Sequence, residues 1–161
     1  MRTSLCALAV AASLSLILPA TAQTSKLVGV WKVESVVDTD SAKQTTMPLG
    51  DHPTGYAIYT KGGHVVLVQS AADRPAPAGP VPTDAEAGKL IATMVAFSGT
   101  YKSAGKGKII IREETAWNQT ALNTNLVRGY KIVGKKLMVT LDIKNAAGQD
   151  LHRTATFIRV E

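Results

Sequence analysis

The sequence predicts an all-β domain in which eight antiparallel strands close into an up-and-down barrel, with one helix between strands 3 and 4. Two observations support this prediction. Apolar and polar residues alternate in several segments, most clearly over residues 136–144, as they do in strands that bury one face. The segments between them are short, which favours antiparallel neighbours. Closing such a set of strands into a barrel removes both exposed sheet edges.

Residues 1–22 have the organisation of a cleavable signal peptide. Arg2 supplies a positive charge, an apolar run over residues 5–18 follows, and Ala20-Thr21-Ala22 is a small-residue cleavage site. The apolar run is shorter than the roughly 20 residues that a membrane span needs. We therefore expect an exported protein, periplasmic or extracellular, with no stable membrane span after cleavage and one domain over residues 23–161.

The composition limits the chemistry available to this domain. The chain has one cysteine, Cys6, which lies within the leader. Disulfides, thiol catalysis and thiolate metal sites are therefore excluded from residues 23–161. The formal net charge is +6 at pH 7, but the lysines are scattered in turns and along strands, without aromatic residues interleaved. This distribution is typical of a charged soluble surface, and we expect no nucleic-acid partner.

The first strand signal covers residues 27–37 and contains Gly29-Val30-Trp31, a glycine followed closely by a large aromatic residue. Residues 38–54 are polar and contain two prolines, which predicts a long loop. Residues 55–60 and 64–69 then form a hairpin around Lys61-Gly62-Gly63, because glycine reaches positive φ without steric cost.

A loop and a helix follow the hairpin. Residues 70–82 contain four of the seven prolines, which predicts an extended surface loop. Thr83 and Glu86 have the spacing of a capping box at the start of a helix. The helical stripe that follows is formed by Ala87, Leu90, Ile91, Met94 and Val95. A stripe of this kind docks on a sheet or covers the mouth of a barrel.

Five further strands complete the barrel, at residues 99–103, 108–117, 125–133, 136–144 and 150–161. Closure pairs the first strand with the last and brings Trp31 near Arg159. We expect the Arg159 guanidinium to stack on the Trp31 ring, so that the two residues form a structural plug at the closed end. A functional site would then lie at the opposite end, nearer the helix and the proline-rich loop.

Three charged residues occupy strand faces that otherwise carry apolar residues. Arg128 shares a face with Leu126, Tyr130 and Ile132; Glu113 with Ile109, Ile111, Thr115 and Trp117; and Arg153 with Leu151, Ala155 and Phe157. Burying an unpaired charge is costly, so these groups should pair with each other or contact a polar or anionic ligand. Two interpretations remain open: Glu113 and Arg128 pair only with each other, or they also contact a ligand. The candidate ligand-binding residues are Arg128, Arg153, Glu113 and Tyr130.

Signals for metal binding or catalysis are weaker. His52, His64 and His152 lie far apart in sequence, and no two of them have ligand spacing on one strand face. Glu113 and Glu114 are adjacent on a strand, so their side chains point to opposite faces and form no carboxylate pair. We expect no metal site and no cofactor, and we assign no catalytic residue.

Several stretches carry a family resemblance. They are residues 27–31, 48–50, 53–59, 63–64, 97–101 and 127–130, in that order and followed by Leu137. The chain resembles the lipocalin-like domain family found widely in bacteria, a relative of the calycin group. This resemblance implies a barrel with an internal cavity for a small, largely apolar molecule, and it brings no agreed catalytic set. The chain departs from the family pattern in the proline-rich insertion at residues 73–82 and in a one-residue shift around Val68-Gln69.

The preferred hypothesis is an exported, non-enzymatic protein that binds a small hydrophobic or amphipathic ligand in the barrel cavity. A second hypothesis is a cavity-type isomerase or cyclase in which Glu113 or His64 moves a proton. A third is an interaction module that uses the helix and the proline-rich loop, which a filled barrel would favour. The sequence leaves these three hypotheses open.

Overall fold

A computed structural model describes residues 24–161 of the chain, and the predicted signal peptide, residues 1–22, lies outside them. The first half contains β1 (Gly29–Thr39), β2 (Thr45–Thr46), β3 (Thr54–Tyr59), β4 (His64–Ser70) and helix α1 (Asp84–Ala92). The second half contains β5 (Met94–Ser103), β6 (Lys108–Ala116), β7 (Asn125–Val133), β8 (Lys136–Lys144) and β9 (Asp150–Arg159). No helix within residues 24–161 is long and apolar enough to cross a membrane.

The strands form one antiparallel sheet in the order β2-β1-β3-β4-β5-β6-β7-β8-β9. β1 also pairs with β9, from Trp31 opposite Arg159 to Thr39 opposite His152. β1 and β3–β9 therefore form a closed eight-stranded antiparallel barrel, and this prediction is confirmed. β1 has 11 residues and pairs along both of its edges: residues 29–32 pair with β3 on one edge, and residues 31–39 lie against β9 on the other.

The helix lies one strand later in the order of elements than the sequence predicts. It was expected between strands 3 and 4, but it lies between β4 and β5, because the predicted long loop after the first strand contains the two-residue strand β2. A tight turn allows the chain to reverse there: the Gln44 amide donates to Asp40 Oδ1 at 2.8 Å, and Lys43 has a φ of 65°. Thr45 and Thr46 then pair with the end of β1.

Helix α1 begins as predicted and ends earlier. The Thr83 side chain accepts a hydrogen bond from the Glu86 amide, and the Glu86 carboxylate accepts one from the Thr83 amide at 2.8 Å, which confirms the capping box. Met94 and Val95, expected on the helical stripe, instead begin β5, where they pair with Ser70 and Gln69. Pairing with β4 satisfies their backbone groups, so tertiary contacts override the helical pattern.

A β-bulge in β6 changes which residues face the barrel interior. Ser98 lies opposite Thr115 but Gly99 lies opposite Glu113, so Glu114 is the extra residue. The bulge reverses the alternation, and Thr115, predicted to face inward, is exposed. Gly99 permits the close approach of the two strands, because a Cβ at this position would collide with the Arg112 carbonyl oxygen.

The end of the barrel that carries the turns at residues 60–63, 104–107 and 134–135, called the closed end, is filled by side chains. Trp31 is fully buried there with an apolar cluster that includes Leu27, Ile109 and Leu137. The Trp31 Nε1–H donates to the Leu27 carbonyl oxygen at 2.8 Å, so the buried indole has a hydrogen-bond partner. The aromatic residue in the Gly-x-Trp stretch therefore belongs to the core.

Arg159 covers this plug in the stacked arrangement that the sequence suggested. Its guanidinium carbon lies 4.0 Å from the centre of the Trp31 ring. The guanidinium also donates to the carbonyl oxygens of Val28, Lys26 and Glu161. Gly29 has a φ of 141°, and a Cβ there would collide with Arg159 Nη1 and the Glu161 oxygen. The glycine is therefore required for the arginine to reach its partners.

Candidate functional site

A cavity occupies the other end of the barrel, called the open end, which carries the loops at residues 40–53, 71–83, 117–124 and 145–149. Its inner part has a volume of about 80 Å³ and lies between the strand faces. Its outer part is wider, about 590 Å³, and extends toward the loops. Both parts are lined by Val95, Glu113, Trp117, Arg128, Leu141 and Arg153. The two parts therefore adjoin each other at these six residues.

Arg128 and Glu113 form a buried ion pair in this cavity. The Arg128 Nη2 donates to Glu113 Oε1 at 2.7 Å, and the two residues are only 9% and 6% exposed. The backbone of Arg128 is opposite Ile109, so its long side chain runs along the barrel axis toward the open end to reach Glu113. Its guanidinium carbon also lies 4.8 Å from the centre of the Phe97 ring, within range of a cation–π contact.

A second ion pair joins Arg153 to Asp38. These residues are directly opposite in the β1–β9 register, and Arg153 donates from Nε and Nη2 to the two carboxylate oxygens, both at 2.7 Å. Asp38 is 4% exposed. Two parallel hydrogen bonds of this kind fix the orientation of the guanidinium as well as its charge. Arg153 is thereby held at the boundary between the inner and outer parts of the cavity.

The sequence does not indicate that Asp38 faces the interior, because a β-bulge in β1 changes which residues face inward. β1 shifts register between Val33 and Ser35. Strict alternation from Trp31 would place Asp38 on the outer face, but the bulge turns Val36 and Asp38 inward. Since the bulge arises from pairing with β9, more than a hundred residues away in sequence, no local pattern in β1 marks it.

Gln69 is a further interior polar residue that was not identified from the sequence. It is 3% exposed and lines the inner cavity. Its Oε1 atom has no hydrogen-bond partner among the described residues, and the same is true of Arg128 Nε. A local signal for Gln69 did exist, because it shares one face of β4 with the buried Val65 and Leu67.

The structure brings three of the four candidate residues to the cavity. Arg128, Glu113 and Arg153 line it, whereas Tyr130 is not part of the lining of either part. Tyr130 is half-buried and packs against the core. Its amide donates to the Gly107 carbonyl oxygen at 2.7 Å, in a turn of the closed end.

The histidines lie away from the inner cavity. His64 is exposed at the closed end, where its amide donates to Thr60 Oγ1. His152 is exposed, and its Nδ1 lies 2.8 Å from Asp142 Oδ1. Within residues 24–161, no three His, Cys, Asp or Glu side chains come together in a group that could hold a metal ion.

Burial dominates the electrostatics around Arg128. Tyr59 lines the inner cavity, and its burial raises its pKa to about 12, partly opposed by the nearby positive charge of Arg128. Burial likewise lowers the pKa of Arg128, while the neighbouring Tyr59 and Glu113 raise it. Both shifts reflect poor solvation of charge at this depth. A charged group therefore persists in the inner cavity only with a partner.

This geometry defines the class of protein: a closed antiparallel β-barrel with a partly polar internal cavity at one end. A family model described as a lipocalin-like domain matches residues 28–159. This match covers most of the chain, so the protein belongs to the lipocalin-like domain family, and the resemblance noted in the sequence is confirmed. No curated protein matches the chain significantly.

Breaking the buried pair should destabilise the fold strongly. In Arg128→Met, Glu113 loses its partner, and we expect the free energy of unfolding to fall by about 3–5 kcal/mol. The double variant Arg128→Met/Glu113→Gln should recover part of this loss, because no ionised group is left unpaired. Urea denaturation of the wild type and both variants measures these differences.

The exposed ion pair between Lys136 and Glu34, at 2.8 Å, provides the control for that experiment. Lys136→Met should change the free energy of unfolding by about 1 kcal/mol or less, since solvent screens exposed pairs. If Arg128→Met were no more destabilised than Lys136→Met, the Arg128–Glu113 pair would not be a buried constraint on the fold.

Deprotonation of Tyr59 should lower the free energy of unfolding at alkaline pH. The unfolded chain loses the Tyr59 proton near its ordinary pKa of 10.0, whereas the folded protein retains it to about 12. Stability from this residue is therefore fully present below the lower pKa and is lost as the pH rises through this window. Tyr59→Phe should remove about 2–3 kcal/mol of the alkaline decline in the free energy of unfolding, measured by urea denaturation at stepped pH.

The exposed Tyr56 on the same strand gives a matched control. Tyr56→Phe should follow the wild-type alkaline profile, because the Tyr56 side chain is exposed to solvent in the folded protein. Identical profiles for wild type and Tyr59→Phe would mean that burial does not raise the pKa of Tyr59.

Proposed function

We propose that the protein is exported and binds a small hydrophobic or amphipathic molecule in the open-end cavity. The leader-like composition of residues 1–22 supports export. Membership of the lipocalin-like domain family supports a ligand-binding barrel. The observation that carries the proposal is the cavity itself, in which apolar walls surround a few buried polar groups.

The composition of the cavity wall suits such a ligand. Leu67, Phe97 and Val139 supply apolar surface in the inner part, and Trp117 and Leu141 continue it into the outer part. Small-molecule sites are typically apolar with a small number of placed polar groups that fix orientation. Arg128, Glu113 and Arg153 are the charged groups at this position.

The volumes suggest how a ligand is seated. The inner part, about 80 Å³, admits a group of only a few non-hydrogen atoms. The outer part, about 590 Å³, is in the range of small-molecule pockets, roughly 300–1,000 Å³. An elongated ligand would place one narrow end beside Arg128 and the bulk of its apolar surface against Trp117 and Leu141.

The two alternative hypotheses have less support. Glu113 is engaged by Arg128 at 2.7 Å, and His64 lies at the closed end, so neither is arranged to move a proton on a molecule in the cavity. An interaction module would be favoured by a filled barrel, but the open end of this barrel contains the cavity described above.

A change that fills the inner cavity should block binding. Ala155 is 6% exposed and lines the inner part. We expect the neutral fluorophore N-phenylnaphthylamine to bind the wild type saturably, with enhanced fluorescence, and Ala155→Leu to weaken that binding by about tenfold or more, because the larger side chain takes up the space. Fluorescence titration gives both dissociation constants.

Ala146→Leu makes the same change at an exposed position in the loop between β8 and β9. This variant should bind the probe with wild-type affinity. Equal affinities in Ala155→Leu and Ala146→Leu would place the probe outside the inner part of the cavity, and absence of binding to the wild type would contradict the proposed function.

A further inference from the structure

The charges inside the open end balance. Two carboxylates, Asp38 and Glu113, and two guanidiniums, Arg128 and Arg153, form the buried polar layer. Arg153 is close enough to Arg128 for its positive charge to lower the pKa of the Arg128 guanidinium. Each guanidinium has its own carboxylate at 2.7 Å, so the layer has no net charge.

The described residues that line the outer part of the cavity add no unpaired positive charge that would attract an anion. Its lining includes Lys144 and Asp142. Lys144 Nζ lies 2.6 Å from Asp150 Oδ1, and Asp142 is next to His152. Among the residues that the structure describes, every Lys or Arg lining either part of the cavity therefore has a carboxylate partner.

This balance disfavours a charged ligand. A carboxylate that entered the inner cavity would bring an uncompensated negative charge into a poorly solvated space, or would have to displace Glu113 or Asp38 from its arginine. Both outcomes carry a desolvation or pairing penalty. A neutral ligand carries neither penalty, since both ion pairs stay intact.

Two buried polar atoms nevertheless have unused hydrogen-bonding capacity. Gln69 Oε1 is an acceptor and Arg128 Nε–H is a donor, and neither has a protein partner among residues 24–161. Both residues line the inner cavity. Leaving such groups unpaired costs about 1–3 kcal/mol each. They are matched by a head group that both donates and accepts hydrogen bonds.

We propose that the ligand is a neutral amphiphile with a hydroxyl or carboxamide head group, which Gln69 and Arg128 recognise in the inner cavity while its apolar portion lies in the outer part. This inference rests on the proposed function and specifies its ligand class. Gln69 and Arg128 act as recognition residues, and Glu113 and Asp38 hold the arginines so that they do not attract an anion.

Three compounds with the same carbon chain test the inference: decanol, decanamide and decanoate. Each is titrated against the wild-type protein loaded with N-phenylnaphthylamine, at about pH 7.5, where decanoate is ionised. Decanol and decanamide should displace the probe at concentrations about tenfold or more below that needed for decanoate. Decanoate that displaces the probe as well as, or better than, the neutral pair would overturn the inference.

Removing one carboxylate should change the preference. Glu113→Gln leaves the layer with one uncompensated positive charge, so the ratio of decanoate affinity to decanamide affinity should rise by about tenfold or more. Glu114→Gln makes the same change on the adjacent, exposed residue, and should leave the wild-type ratio unchanged. A ratio that is equal in Glu113→Gln and Glu114→Gln would contradict the role of the charge balance.

Gln69→Met tests hydrogen-bond recognition separately, since methionine has similar length and no amide. This variant should weaken decanamide several-fold more than it changes the affinity for N-phenylnaphthylamine, which has no carboxamide head group. An unchanged decanamide affinity would remove Gln69 from the recognition site.

The outcomes separate the two proposals. A wild type that binds neither the probe nor any of the three compounds refutes the proposed function, and the inference with it. A wild type that binds the probe but prefers decanoate refutes only the inference. If Glu113→Gln fails to fold, by circular dichroism, the wild-type series still decides between neutral and anionic head groups.

Discussion

A charge inside a barrel this narrow must have its counter-charge there as well, and the open end is built around that constraint. Glu113 meets Arg128, and Asp38 meets Arg153, each at 2.7 Å. Because burying one of these groups alone costs several kcal/mol, the register of four strands is tied to these two contacts. The bulge in β1 is part of the same arrangement, since it turns Asp38 toward Arg153.

The two ends of the barrel accommodate an arginine in different ways. At the closed end, Trp31 fills the interior, and Arg159 is engaged by the ring and by three backbone carbonyl oxygens. At the open end the space is incompletely filled, and Gln69 Oε1 and Arg128 Nε have no hydrogen-bond partner among residues 24–161. The arrangement at the closed end stabilises the fold. The arrangement at the open end leaves an unfilled space lined in part by polar groups, on which the proposed ligand site is based.

Much of this architecture could be predicted from local patterns. Alternation and glycine turns indicated the eight barrel strands, and the mixed faces of β6, β7 and β9 indicated that Glu113, Arg128 and Arg153 lie inside. The errors came from pairing between distant segments: bulges in β1 and β6 reversed the alternation at Asp38 and Thr115, and pairing with β4 drew Met94 into a strand. Gln69 was different, because its alternation with Leu67 was visible in the sequence.

Native mass spectrometry of the protein purified from the cells that make it tests the central claim, that the open-end cavity holds a small molecule, most directly. The account predicts an intact mass above that of the polypeptide, with the difference released on denaturation as a neutral amphiphile identifiable by its own mass. Repeated preparations with the mass of the polypeptide alone, which also gain no mass on incubation with neutral or anionic amphiphiles, would contradict it.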